Sequence, residues 1–113
     1  MRKFHRQQIL EVIASLHTVH QHCKDQLSKK NYQTVQSLLT DCQDAAIQIG
    51  ELIEQMEGEG TRAVTHLEQY CERVYQINVQ IEEISPHKTC KYLEEILLKA
   101  ENEISHMPVK KEV

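Results

Sequence analysis

The stretch Ile9-Leu10-Glu11-Val12-Ile13-Ala14-Ser15-Leu16-His17-Thr18-Val19-His20-Gln21-His22-Cys23-Lys24-Asp25-Gln26-Leu27 decides the reading of the whole chain. Its seam is Ile9, Ile13, Leu16, His20, Cys23 and Leu27, spaced by alternating steps of four and three. That period is helical, because residues three and four apart stack on one face. His20 is the one polar member of the seam. Val12 and Val19 widen the stripe, so this helix is expected to meet more than one neighbour.

The same spacing returns three times. Tyr32, Val35, Leu39, Cys42, Ala46, Ile49, Ile53 and Met56 form a second seam. Ala63, Leu67, Tyr70, Val74, Ile77, Ile81 and Ile84 form a third. Cys90, Leu93, Leu97, Ala100, Ile104 and Met107 form a fourth. Between them stand Ser28-Lys29-Lys30-Asn31, Gly58-Glu59-Gly60-Thr61 and Ser85-Pro86. Asn31 and Thr61 suit helix N-caps, glycine suits a helix end, and Ser85-Pro86 reads as a cap followed by a first-turn proline. The spacing predicts helices over about 3–28, 32–57, 62–84 and 86–107. Short links make sequential helices antiparallel, so the expected fold is all-α, an elongated antiparallel up-down-up-down four-helix bundle with coiled-coil-like packing. Two hairpins that dimerise would use the same seams. Residues 108–113, Pro108-Val109-Lys110-Lys111-Glu112-Val113, read as a linker leading to an absent C-terminal domain.

Composition narrows the function. The 113 residues give room for one core. Asp plus Glu total 17 against 13 Lys plus Arg, a net charge of −4, which argues against a nucleic-acid partner. Only 3 glycines and 2 prolines speak against an all-β fold. No apolar run reaches the roughly 20 residues of a membrane span. The basic start Met1-Arg2-Lys3-Phe4-His5-Arg6 lacks the apolar core of a signal peptide, so a cytoplasmic location is expected. Arg2, Lys3 and Arg6 beside Phe4 would give an anionic membrane only weak peripheral attraction, about 1 kcal/mol per charge at best.

No residue pattern reads as an active site. The cysteines, at 23, 42, 71 and 90, fall one per helix without a C-x-x-C pair, so they are read as small buried hydrophobes. In an up-down bundle Cys23 and Cys90 should lie about 10 Å along the axis from Cys42 and Cys71. His17 and His20 are one turn apart and could share a face. His20 with Lys24 has the spacing of a phosphotransfer helix, but the seam turns His20 inward. One Glu-x-x-His motif, Glu103 to His106, falls short of the two that a di-iron bundle needs. Glu51, Glu54, Glu57 and Glu59 read as a solvated helix face. No catalytic, cofactor-binding or metal residue is assigned, no cofactor is expected, and this segment is not expected to be an enzyme.

A resemblance adds to this. The run Tyr32-Gln33-Thr34-Val35-Gln36-Ser37-Leu38-Leu39-Thr40-Asp41-Cys42-Gln43-Asp44-Ala45-Ala46-Ile47 carries it. It continues through Gln48-Ile49-Gly50-Glu51-Leu52-Ile53-Glu54, Glu57-Gly58-Glu59-Gly60-Thr61, Leu67-Glu68-Gln69-Tyr70-Cys71-Glu72 and the closing Pro108 to Val113. These stretches resemble the N-terminal helical region of CDP-glycerol glycerophosphotransferase-like proteins of Firmicutes. The resemblance covers most of the chain from Tyr32 onward and contains no catalytic motif. It implies a helical region ahead of a glycosyltransferase-like α/β transferase domain that serves teichoic-acid-type polymer synthesis.

The expected function is therefore a non-catalytic helical interaction or positioning module. Its partner would be another protein, the chain's own C-terminal domain or a second copy in a homodimer. Tyr75 and Leu98, off the main seams, are the candidate interaction surface. The alternative is a free-standing small-ligand or sensor bundle, with a groove at Ala46 and Gly50 and polar contacts from Tyr32, Tyr70 or His20.

Overall fold

The computed structural model describes residues 1–108. The linker expected from Val109 onward lies outside the described residues. Four helices follow one another: α1 (Lys3–Ser28), α2 (Tyr32–Glu57), α3 (Arg62–Val79) and α4 (Pro86–Ser105). They pack as a ring in which each helix touches two neighbours, α1 with α2, α2 with α3, α3 with α4 and α4 with α1. The result is an all-α bundle of 52 × 22 × 19 Å. No helix among the described residues is long and apolar enough to cross a membrane.

The core follows the seams. All six seam residues of α1 are buried, His20 included. α2 buries Val35, Leu39, Cys42, Ala46, Ile49 and Ile53, and Tyr32 and Met56 pack partly against the core at its ends. Val19 packs against the core, but Val12 is 40% exposed, so α1 is widened on one flank only.

Contacts between neighbours run in opposite senses along the chain, as antiparallel helices require. Gln36 Nε2 donates to the Asn78 carbonyl at 3.0 Å, and Gln43 Nε2 to the Cys71 carbonyl at 3.1 Å. These are two glutamines of α2 seven residues apart, reaching two carbonyls of α3 seven residues apart. On the α1–α4 side Arg6 donates to the Met107 carbonyl at 3.2 Å, while Gln21 bonds Glu94 at 2.5 Å. Arg6 also reaches the Ser105 carbonyl at 3.4 Å. A guanidinium suits the unsatisfied carbonyls at a helix C-terminus. One of the three basic residues considered for membrane contact is thus engaged within the bundle.

Helix ends show where the sequence misled. α3 stops at Val79, five residues before the expected end. The Gln80 N–H closes onto Ile77 at 3.1 Å, and Glu83 N–H onto Gln80 at 2.9 Å, making a separate turn. Glu82 and Glu83 would sit unfavourably at the negative end of a helix dipole, and β-branched Val79 and Ile81 disfavour helix there. Ile81 stays buried and Ile84 half-buried. The apolar spacing therefore continued past the helix, because the turn caps the core. α4 likewise ends at Ser105, two residues early. Thr61 caps α3, its hydroxyl accepting from the Val64 N–H at 3.2 Å. Asn31 does not cap α2 through its side chain; its amide donates to Gln26 Oε1 at 2.7 Å instead. Ser85 precedes Pro86 at the start of α4 without a side-chain cap bond.

The α1–α2 link closes with Lys30 at φ 62°, its N–H on Leu27 and the Asn31 N–H on Gln26, both at 3.0 Å. This pair of bonds normally carries glycine at the left-handed position. Lys30→Gly is expected to raise stability by about 1 kcal/mol, read by urea denaturation. Gly50 sits buried in mid-helix, yet a Cβ there would meet no atom within 4 Å. Gly50→Ala should therefore stabilise by roughly 1 kcal/mol in the same assay. A loss on either change would contradict the local geometry described.

Candidate functional site

A polar group lies at the centre of the bundle. His20 and Tyr70, on helices diagonal to each other in the ring, are both fully buried. His20 Nε2 meets the Tyr70 hydroxyl at 2.5 Å. The direction of this bond follows the His20 tautomer: with Nε2–H donating to the phenol oxygen, Nδ1 is a bare lone pair. Nδ1 has no hydrogen-bond partner. Cys90 on α4 donates from Sγ to the His20 carbonyl at 3.5 Å.

All four cysteines are free thiols. Burial pushes Cys23 up to about 12, and Cys42 and Cys90 each up to about 11. They remain protonated near neutral pH and are poor nucleophiles.

On the α1–α4 side, His17, His20 and Glu94 each present one ligand-capable atom, and these lie within 4.8 Å of one another. Glu101 Oε2 stands 3.5 Å from His17 Nε2. The i,i+3 spacing of the two histidines was readable in sequence. Glu94 was not, since it comes from another helix 74 residues beyond His20, and only the α1–α4 register brings it there.

Other candidates separate. Tyr75 and Leu98 are exposed, 64% and 55%, but they do not share a surface. Tyr75 lies on the stripe of α3 between Cys71 and Asn78, which faces α2. Leu98 lies on the stripe of α4 between Glu94 and Glu101, which faces α1. Those are opposite sides of the ring. His20 is fully buried, which removes the exposed imidazole a phosphotransfer helix needs. His106, at the exposed end of α4, turns its Nδ1 to the Asn102 carbonyl at 2.7 Å.

Two of the surface grooves bear on the candidate sites. One, about 250 Å³, opens between α2 and α3 beside Ala46, Gly50, Val64 and Leu67. It exists where the small residues suggested, but Tyr32, Tyr70 and His20 are not among its walls. The other, about 540 Å³, runs between α1 and α2 and is walled by Ile9, Val12, Ile49, Leu52 and Met56, with His5 and Gln8 at its rim. Val12 and Leu52 are 40% and 48% exposed there. Apolar spacing alone does not reveal this groove, because Val12 falls on the flank of the α1 seam and the spacing leaves it indistinguishable from a core residue.

No protein-family model, no curated protein and no solved structure matches the chain.

Burial, and secondly the charge of His17, lowers His20 from 6.5 to about 4. An unfolded chain takes up this proton near pH 6.5, the folded chain only near pH 4. The unfolded state thus binds more protons between these values, so stability falls as pH falls through that window. The loss should be about 2 kcal/mol by pH 5 and on the order of 3 kcal/mol by pH 4. Urea melts at pH 7 and pH 5, in buffer free of divalent ions, check it; equal stabilities would contradict a buried neutral His20.

Proposed function

We propose that the chain is a non-catalytic helical module that binds and positions a protein partner. The observation that carries this is the α1–α2 groove, an apolar channel of about 540 Å³ with Val12 and Leu52 half in water. Apolar side chains gathered along one groove gain roughly 25 cal/mol for each Å² they remove from water on docking. Contiguous exposed apolar surface of this kind marks interaction sites. The partner we favour is the chain's own C-terminal neighbour, a glycerophosphotransferase-like domain. That part rests on the sequence resemblance alone.

The small-ligand alternative has less support. The recess beside Gly50 is about 250 Å³, below the roughly 300 Å³ at which ligand pockets usually begin. The polar pair His20 and Tyr70 is sealed inside the bundle.

The test begins with the size of the native protein, by immunoblot against this bundle. A band well above 13.2 kDa supports a module within a larger chain; a single band at 13.2 kDa removes the C-terminal neighbour. The double variant Val12→Glu, Leu52→Glu should then abolish cross-linking to the partner in the native protein. Helicity and melting temperature should hold, because neither side chain lies in the core. Cross-linking that survives the two charges would overturn the groove as the docking surface.

A further inference from the structure

The α1–α4 side holds nitrogen and oxygen donors whose hydrogen bonding does not close. His20 Nδ1 is sealed from solvent and has no partner. His17 Nε2 is also buried without a hydrogen bond, its nearest acidic oxygen being Glu101 Oε2 at 3.5 Å. A buried nitrogen left unpaired is unfavourable, and such atoms call for an unseen partner. Next to both stands the Glu94 carboxylate, with one atom from each of the three residues inside 4.8 Å.

We infer that His17, His20 and Glu94 form a binding site for a divalent transition-metal ion of the Zn2+ class, bridging α1 and α4.

The donor chemistry selects the ion. Two neutral imidazoles and one carboxylate are the ligand types of zinc and its neighbours, whereas Ca2+ takes six to eight oxygens and Mg2+ keeps most of its water. Bonds of about 2.0–2.1 Å place tetrahedral ligand atoms roughly 3.4 Å apart. Reaching that from 4.8 Å or less asks only side-chain rotation of His17 and Glu94, both half-buried. His20 need not move. Tyr70 holds its ring from Nε2, and in the Nε2–H tautomer this is the arrangement in which an oxygen acceptor orients an imidazole that binds metal through Nδ1. Gln21 donates from Nε2 to Glu94 Oε1 at 2.5 Å and so orients the carboxylate. Glu101 Oε2, 3.5 Å from His17 Nε2, stands outside the three-residue group, and water fills the fourth position. The thiols do not compete: Cys90 turns its Sγ to the His20 carbonyl, and no cysteine joins the three-residue group.

The inference stands apart from the α1–α2 groove, and its test is separate. The full chain, reduced, metal-stripped and without an affinity tag, is titrated with Zn2+ by calorimetry and with Co2+ by visible absorption. One equivalent of Zn2+ should bind. Bound Co2+ should show the ligand-field bands of a low-coordinate nitrogen and oxygen site, with no thiolate charge-transfer band. His20→Gln breaks a core hydrogen bond and can unfold the chain, so the decisive variants are His17→Gln and Glu94→Gln. Each should weaken Zn2+ binding at least tenfold while leaving helicity and the metal-free melting temperature unchanged. Zn2+ should raise the melting temperature of the parent chain and not that of Glu94→Gln. Absence of binding, affinity indifferent to both variants, or a thiolate band with Co2+ would each overturn the site.

Discussion

The bundle is organised around the one polar residue that its first seam cannot avoid burying. His20 occupies a position where the spacing demands an apolar side chain, and Tyr70 meets it from across the ring at 2.5 Å. α1 and α3 are not neighbours, so this bond crosses the core where backbones do not touch. Sliding either helix by one turn, about 5.4 Å, would leave a buried imidazole and a buried phenol both unpaired. Apolar seams alone tolerate such slips, because one layer of leucines resembles the next. The diagonal bond distinguishes one register from its neighbours, much as a single polar residue does in a coiled coil.

Legibility in the sequence followed the same division. Apolar periodicity reports which face of a helix is dry, and it placed all six buried residues of α1. It does not report whether the backbone is still helical, which is why Ile81 and Ile84 extended α3 on paper while the chain had already turned. Nor does it report the angular position of residues off the seam. Tyr75 and Leu98 looked equivalent as unplaced apolar residues, yet they flank opposite sides of the ring. The Asn31 cap failed for a local reason, since its amide found Gln26 first. The cluster on the α1–α4 side required a third ligand from a distant helix, and nothing in the spacing of His17 and His20 points to Glu94.

The α2–α3 and α1–α4 sides of the ring are bridged differently. Between α2 and α3, glutamine amides reach backbone carbonyls at heptad spacing, neutral groups answering neutral groups. Between α1 and α4 the bridges involve Arg6, His17, Glu94 and Glu101, groups that carry or can carry charge. Screening by salt acts on the second side far more than on the first. Ionic conditions therefore act on the α1–α4 side and spare the α2–α3 side.

The connectivity also gives the ring an order of assembly. Three of its sides join helices consecutive in the chain, across the short links after Ser28, Glu57 and Val79. The fourth joins α1 to α4, and there Gln21 meets Glu94 across a separation of 73 residues. Loop-closure entropy makes such a contact late to form during folding. A three-helix sheaf of α2, α3 and α4, or of α1, α2 and α3, can form before that side zips. Anything that ties α1 to α4 consequently acts on the lifetime of the closed ring as well as on its equilibrium stability.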